Sequence, residues 1–413
     1  VNAIEPVEVQ QAALLPAPRA PRYESLTIWR GVACLCVVVY HSIFAGYGLA
    51  FKDHGGFWAG LFEICQRLWI GVPFFFVISG YCVTASADAL RRREKPGAQF
   101  FWRRFRRIYP PYWIWLGLTA LSVWLVERFI HRDFFAPAYI PNPTALNGWQ
   151  WLGNLTLTQS WSWHLTGGVE APFLPPSWSL CYEEQFYALV GLSIVLAGRH
   201  LFRILAVITG LVVVGLPLLL WLGIRTEGLF LDGYWLLFAA GVLAYYVLNY
   251  AGRGRLVWYC LPIILGGLFA AGEPHRLLRP RVDDPNQSYL AGFLFTLLII
   301  GLHRWDQSMF RARLLRPLVY CGEMCYSLYL VHWPTVTVVS WFFNQWGIRN
   351  PAAVLCLGLP LCVAVAVVLA RAFHVLVERR FLNPSPIKTK DSSAGSSDKI
   401  AGGAAGSQFV DQK

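Results

Sequence analysis

Apolar runs of about 20 residues recur from one end of the chain to the other, separated by short polar stretches rich in Arg, Pro or Gly. At 1.5 Å per residue, a run of that length crosses the hydrocarbon core as a helix. The pattern predicts spans near residues 26–47, 68–87, 108–126, 178–197, 201–222, 229–249, 256–272, 289–303, 318–342 and 352–377. The run at 289–303 is short, and residues 149–166 read either as loop or as a re-entrant or interfacial piece. Only closed helices satisfy their backbone in lipid across such runs. The predicted fold is all-α, a polytopic membrane helix bundle with about ten transmembrane helices.

Two flanks fall outside this pattern. Residues 1–24 are rich in Pro and Ala and residues 384–413 in Ser, Gly and Ala, which predicts a flexible tail at each end of a membrane domain spanning 25–383. No cleavable leader is apparent, so the first apolar run is expected to remain as the first helix. Residues 127–177, rich in Trp and Pro, are expected to fold over one membrane face.

Composition agrees with the pattern: 56% of the 413 residues are hydrophobic and 14% charged, which excludes an ordinary soluble globule. The net charge of +12 is concentrated in particular loops. With the N-terminus inside, the inner loops collect Arg91, Arg92, Arg93, Lys95, Arg103, Arg104, Arg106, Arg107 and most of the other basic residues, so both termini are expected in the cytoplasm of a plasma-membrane protein. Topology thus explains the basic balance, and no nucleic-acid partner is expected. Most of the ten Cys lie within predicted spans and show no metal-ligand or CxxC spacing, so they read as small apolar residues, and no metal site is expected.

The candidate chemistry lies in the ionisable groups inside the spans, where each is costly and calls for a partner or a function. Arg30 and His41 share the first span. Eleven residues apart, they fall within roughly 20° on one helix face but about 16 Å apart along it. Arg30 therefore sits at the inner end and His41 in the outer half. In “PSWSLCYEEQFYAL”, Glu183 and Glu184 lie in the outer third of their span, and His332 in “YSLYLVHWP” reaches a similar depth. A carboxylate beside an imidazole orients a general base; the competing reading is an interhelical hydrogen bond that only holds helices together. At the inner face, Arg103, Arg104, Arg106 and Arg107 crowd one helix entrance. They could contact anionic lipid headgroups or, with Arg30, grip a phosphorylated ligand.

These residues also carry a family resemblance. The sequence resembles the acyltransferase-3 family of integral membrane O-acyltransferases over nearly all of 25–383. Arg30 to His41 matches its arginine–ten–histidine signature, “FFFVISGY” the Ser-Gly end of the second helix at Ser79 and Gly80, and “RRFRRIYP” a second arginine motif at Arg104 and Arg107. “WSLCYEEQFY” matches the pattern that opens at Trp178 and carries Glu183, and “YSLYLVHWP” the motif ending near His332. The chain departs at Thr27, where relatives often have Asp, and in “VERRF”, where Arg380 stands for a proline. No appended hydrolase-like domain of the kind some relatives carry is expected, so the membrane domain would complete the transfer itself or with a partner.

The resemblance implies transfer of an acyl group, acetyl first among the candidates, from cytoplasmic acyl-CoA to a hydroxyl of a cell-surface or exported carbohydrate. His41 would act as catalytic base with Glu183 orienting it or shaping the acceptor site. Arg30, Arg104 and Arg107 would bind CoA phosphates, and His332, Trp178 and Ser79 would contact substrate. No tightly bound cofactor is implied; acyl-CoA is a donor substrate. Two other readings stand beside it: a transporter or flippase of a lipid-linked sugar, since intramembrane charges also mark transport paths, and O-acylation of a small molecule such as a macrolide. Oligomeric state is not legible.

Overall fold

The structure is a computed structural model. It describes residues 18–19, 23–47, 56–93, 95–130, 134–135, 139–166, 168, 170–224, 226–251, 262, 285–348 and 350–382. Among them the chain is helical throughout, with helices α1 (Leu26–Tyr47), α2 (Phe57–Gln66), α3 (Gly71–Leu90), α4 (Pro96–Phe129), α5 (Gly148–Thr156), α6 (Trp178–Ala197), α7 (Leu201–Trp221), α8 (Trp235–Asn249), α9 (Pro285–Leu302), α10 (Arg316–Glu323), α11 (Cys325–Gln345) and α12 (Leu359–Leu376).

Among the described residues five helical segments are long and apolar enough to cross a membrane, within Leu26–Ile43, Phe57–Leu90, Pro175–Leu216, Gln287–Arg311 and Pro351–Arg380, and Trp235–Asn249 is a shorter apolar helix. The protein is an all-α, multi-pass membrane bundle, and among the described residues about five such segments stand where ten spans were expected over the whole chain. The expected span at 256–272, apart from residue 262, and both expected tails, apart from 18–19 and 23–24, lie outside the described residues. Leu196, Val207, Leu211, Val214, Leu218 and Val368 point outward with more than half their surface uncovered. A bundle that leaves aliphatic side chains outside as well as inside has hydrocarbon for its surroundings.

Several bounds differ from the pattern for physical reasons. The expected span 318–342 divides at Met324 into α10 and α11. Helix α4 starts at Pro96, well before the apolar run at 108, because Pro at the first turn needs no donor and the arginines that follow are helix formers. Residues 149–166 form α5 and a single turn at Trp163–Thr166, opened by a capping box in which the Asn147 and Gln150 side chains each accept from the other's backbone N–H.

Helix α1 packs against α3, α10 and α11, and α3 lies against α8, while α12 backs α11. Glycines set the closest of these approaches. A Cβ on Gly80 would lie 2.2 Å from the Phe238 carbonyl oxygen, and one on Gly241 2.0 Å from that of Val77, so α3 and α8 touch backbone to backbone.

The end of the bundle is fastened by a buried polar cluster. Glu378 Oε2 accepts from Ser327 Oγ at 2.5 Å and lies 2.7 Å from His374 Nδ1, tying the residues after α12 to the first turn of α11. All three side chains are buried. This gives “VERRF” a structural role. Glu378→Ala would strand two buried polar groups, each costing about 1–3 kcal/mol. We expect the thermal unfolding midpoint in detergent to fall in Glu378→Ala and to fall less in Glu378→Gln, which keeps an acceptor; equal midpoints for wild type and Glu378→Ala would refute the staple.

Candidate active site

One cavity of about 330 Å³ runs through the bundle between α1, α3, α4, α6 and α11. Arg30, Arg104 and Arg107 line it, as do His41, Ser79, Trp178 and Glu183. Seven of the eight residues singled out in the sequence therefore share one space. His332 does not: it is fully buried and lies behind His41.

The imidazoles of His41 and His332 are stacked, with centroids 5.0 Å apart and planes 15° apart, and His41 Nδ1 is 2.9 Å from His332 Nε2. His332 Nδ1 lies 2.6 Å from the Tyr329 carbonyl oxygen and 3.2 Å from that of Leu328. Carbonyl oxygens only accept, so His332 carries its proton on Nδ1 and, when neutral, accepts through Nε2. His41 then donates through Nδ1. Its Nε2 is left with a free lone pair, and His41 is the member of the pair that borders the cavity. The indole of Trp333 meets the His41 ring edge-on, with centroids 4.6 Å apart.

The hydrogen bonds of Glu183 go elsewhere than to His41. Its Oε1 accepts from Ser79 Oγ at 2.6 Å and its Oε2 from Tyr187 OH at 2.8 Å. The imidazole of His41 is thus held by His332, while the carboxylate of Glu183 is held by Ser79 and Tyr187. Ser79 ties α3 to α6 through this carboxylate, and Tyr187, four residues further along α6, holds it from within its own helix. The Arg104 guanidinium lies over the Tyr187 ring, 5.0 Å from its centroid. Arg30 and Arg104 are both within electrostatic range of Glu183 and Tyr187. The cavity therefore has a cationic region built on Arg30, Arg104 and Arg107 and balanced by one carboxylate, and its other region ends in a base.

Aromatic residues close the space. Trp178 packs edge-on to Phe76 and Tyr182. Tyr329 OH donates to the Pro176 carbonyl and lies 3.1 Å from Ser179 Oγ, bracing the entry to α6 against α11. Tyr187, Tyr329 and Trp333 went unassigned in the sequence although they stand within the quoted patterns; the signal was the helical spacing of Tyr187 from Glu183 and of Tyr329 from His332, and for Trp333 there was none. Among the described residues no group of three or more His, Cys, Asp or Glu is placed to hold a metal ion.

The family model for an acyltransferase domain, acyltransferase-3, matches residues 23–371. The O-acetyltransferase OatA of Staphylococcus aureus is 27% identical over 351 residues, covering 79% of this chain and 53% of its own. The exopolysaccharide production protein ExoZ of Rhizobium meliloti is 25% identical over 328 residues, covering 76% and 89%. The acyltransferase MdmB of Streptomyces mycarofaciens is 32% identical over 174 residues, covering 41% and 38%. The chain spans about half the length of the OatA proteins it matches. No solved structure shows a significant match.

Proposed function

The chain belongs to the acyltransferase-3 family, and from that premise we propose that it transfers an acyl group, acetyl first, from cytoplasmic acyl-CoA to a hydroxyl of an exported or cell-surface carbohydrate. The observation that carries this reading is the single cavity that holds three arginines and a histidine with a free ring nitrogen. The names of two relatives support its two halves, an O-acetyltransferase for the reaction and an exopolysaccharide production protein for the acceptor class.

The arginine side faces the cytoplasm in this reading, with the basic residues 91–107. Arg30, Arg104 and Arg107 bind the phosphates of CoA through charge-assisted hydrogen bonds, and the thioester reaches along the cavity toward His41. The acceptor hydroxyl enters from the side of Trp178. An alcohol is a poor nucleophile near neutral pH, so His41 Nε2 removes its proton as the oxygen attacks the thioester carbonyl. The tetrahedral intermediate collapses, the C–S bond breaks, and the CoA thiolate takes the proton back from His41. The orienting partner of His41 is His332, and Glu183 with Ser79 and Tyr187 fixes the wall between the arginines and the acceptor.

Membranes containing the protein, given acetyl-CoA labelled in the acetyl group, should release CoA and place label in envelope glycans even after an uncoupler collapses the ion gradient. Thioester left intact, with sugar movement dependent on the gradient, would instead establish a transporter. A parallel arm with labelled succinyl-CoA separates the two donors.

A further inference from the structure

A second, smaller hollow lies outside the cavity, in the segment between α4 and α6. It has about 100 Å³ of space, and its walls include Trp149, Trp163, Ser162, Thr166 and, at its floor, Gln159. At roughly 10–15 Å³ for each water position, it accommodates something the size of a single sugar ring.

Gln159 is only 2% exposed. Its Nε2 donates to Ser177 Oγ at 2.7 Å, but its Oε1 has no protein partner. A buried carbonyl without a donor costs free energy, and such atoms in folded proteins are generally met by water or ligand. The other polar lining groups are hydroxyls and amides; none of the lining residues is ionisable. Trp149 is 67% exposed, so its indole is open beside the hollow. Trp151, by contrast, is committed to the fold: its Nε1 donates to the Pro143 carbonyl and its ring packs on Phe173.

The open indole of Trp149 combined with neutral hydroxyl and amide groups matches a ligand that is apolar on its ring faces and rich in hydroxyls at its edge. That ligand is a neutral pyranose. The hollow adjoins the wall of the reaction cavity, because Gln159 holds Ser177, whose sequence neighbours Pro176 and Trp178 both line that cavity.

We propose that this hollow is an acceptor subsite that holds one neutral sugar ring of the carbohydrate while a neighbouring unit reaches His41. The inference rests on the carbohydrate-acceptor reading above. The binding of cellotetraose and of chitotetraose to the full chain in nanodiscs, without donor, tests it by calorimetry. One of the two should bind saturably, with affinity reduced roughly tenfold in Trp149→Ala and reduced likewise in Gln159→Leu. Trp346→Ala, which removes another exposed indole outside the hollow, should bind as wild type does.

Equal affinity in wild type and Trp149→Ala would overturn the subsite and leave the carbohydrate reading standing. Failure of both sugars to bind the wild type would also overturn it, and the acetyl-label experiment then decides the acceptor independently: label in glycans keeps the function without this subsite, and label absent from glycans removes both.

Discussion

Replacing His41 with alanine is expected to lower acyl transfer by about 10²–10⁴-fold, the range of a positioned general base. The side chain borders the cavity and carries the free lone pair in the neutral pair, so nothing else in its immediate surroundings replaces it: His332 is buried behind it and its Nδ1 is engaged by backbone carbonyls. The loss should fall on kcat. Arg30, Arg104 and Arg107 remain in place, so the KM for acyl-CoA should change little, a split that separates lost chemistry from lost donor binding. The measurement is CoA release and label transfer by equal amounts of membrane-inserted wild type and variant. Full activity in His41→Ala would remove His41 from the mechanism. Acid-quenched protein carrying label in wild type but not in the variant would place an acyl-histidine on the route in place of direct attack.

Much of this site was legible because cost in lipid marks function. Arg30, His41 and Glu183 stood out in apolar runs where each needs a reason, and all three border one cavity. The helix bounds at 26–47 and 178–197 coincide with α1 and α6, since uninterrupted apolar runs leave the backbone no other way to satisfy itself. What could not be read was which polar groups meet. Depth along the membrane is one coordinate, and it placed His41, Glu183 and His332 together; rotation of each helix about its own axis is a second, and it turns Glu183 to Ser79 while His332 turns to His41.

The start of α4 was missed for a related reason. A hydropathy window stops at the arginines of residues 103–107, whereas the helix continues through them, because Arg104 and Arg107 are one turn apart and both face the interior cavity. The link from Glu378 to Ser327 was invisible for the opposite reason: the two lie 51 residues apart in sequence and no local spacing joins them, although His374 stands four residues before Glu378.

His332 gives the second large effect, and it separates positioning from packing. Substituting phenylalanine keeps a ring of similar size but removes the acceptor for His41 Nδ1–H. The His41 ring is then free to change tautomer or rotate, and turnover should fall on the order of 10–10³-fold, less than for loss of the base itself. Glutamine at 332 still offers a side-chain carbonyl, so His332→Gln should recover a substantial part of the activity. A role limited to filling space predicts the reverse order, with phenylalanine the better substitute. Because the two imidazoles act as one unit, the losses should not add: His41→Ala/His332→Phe should be about as slow as His41→Ala alone. The decisive readings are kcat for the four proteins at fixed acyl-CoA, with the pH–rate profile of His332→Gln alongside that of wild type. A double variant that falls by the product of the two single losses would mean that His332 contributes independently of His41, and the relay from the Tyr329 carbonyl through His332 to His41 would have to be abandoned.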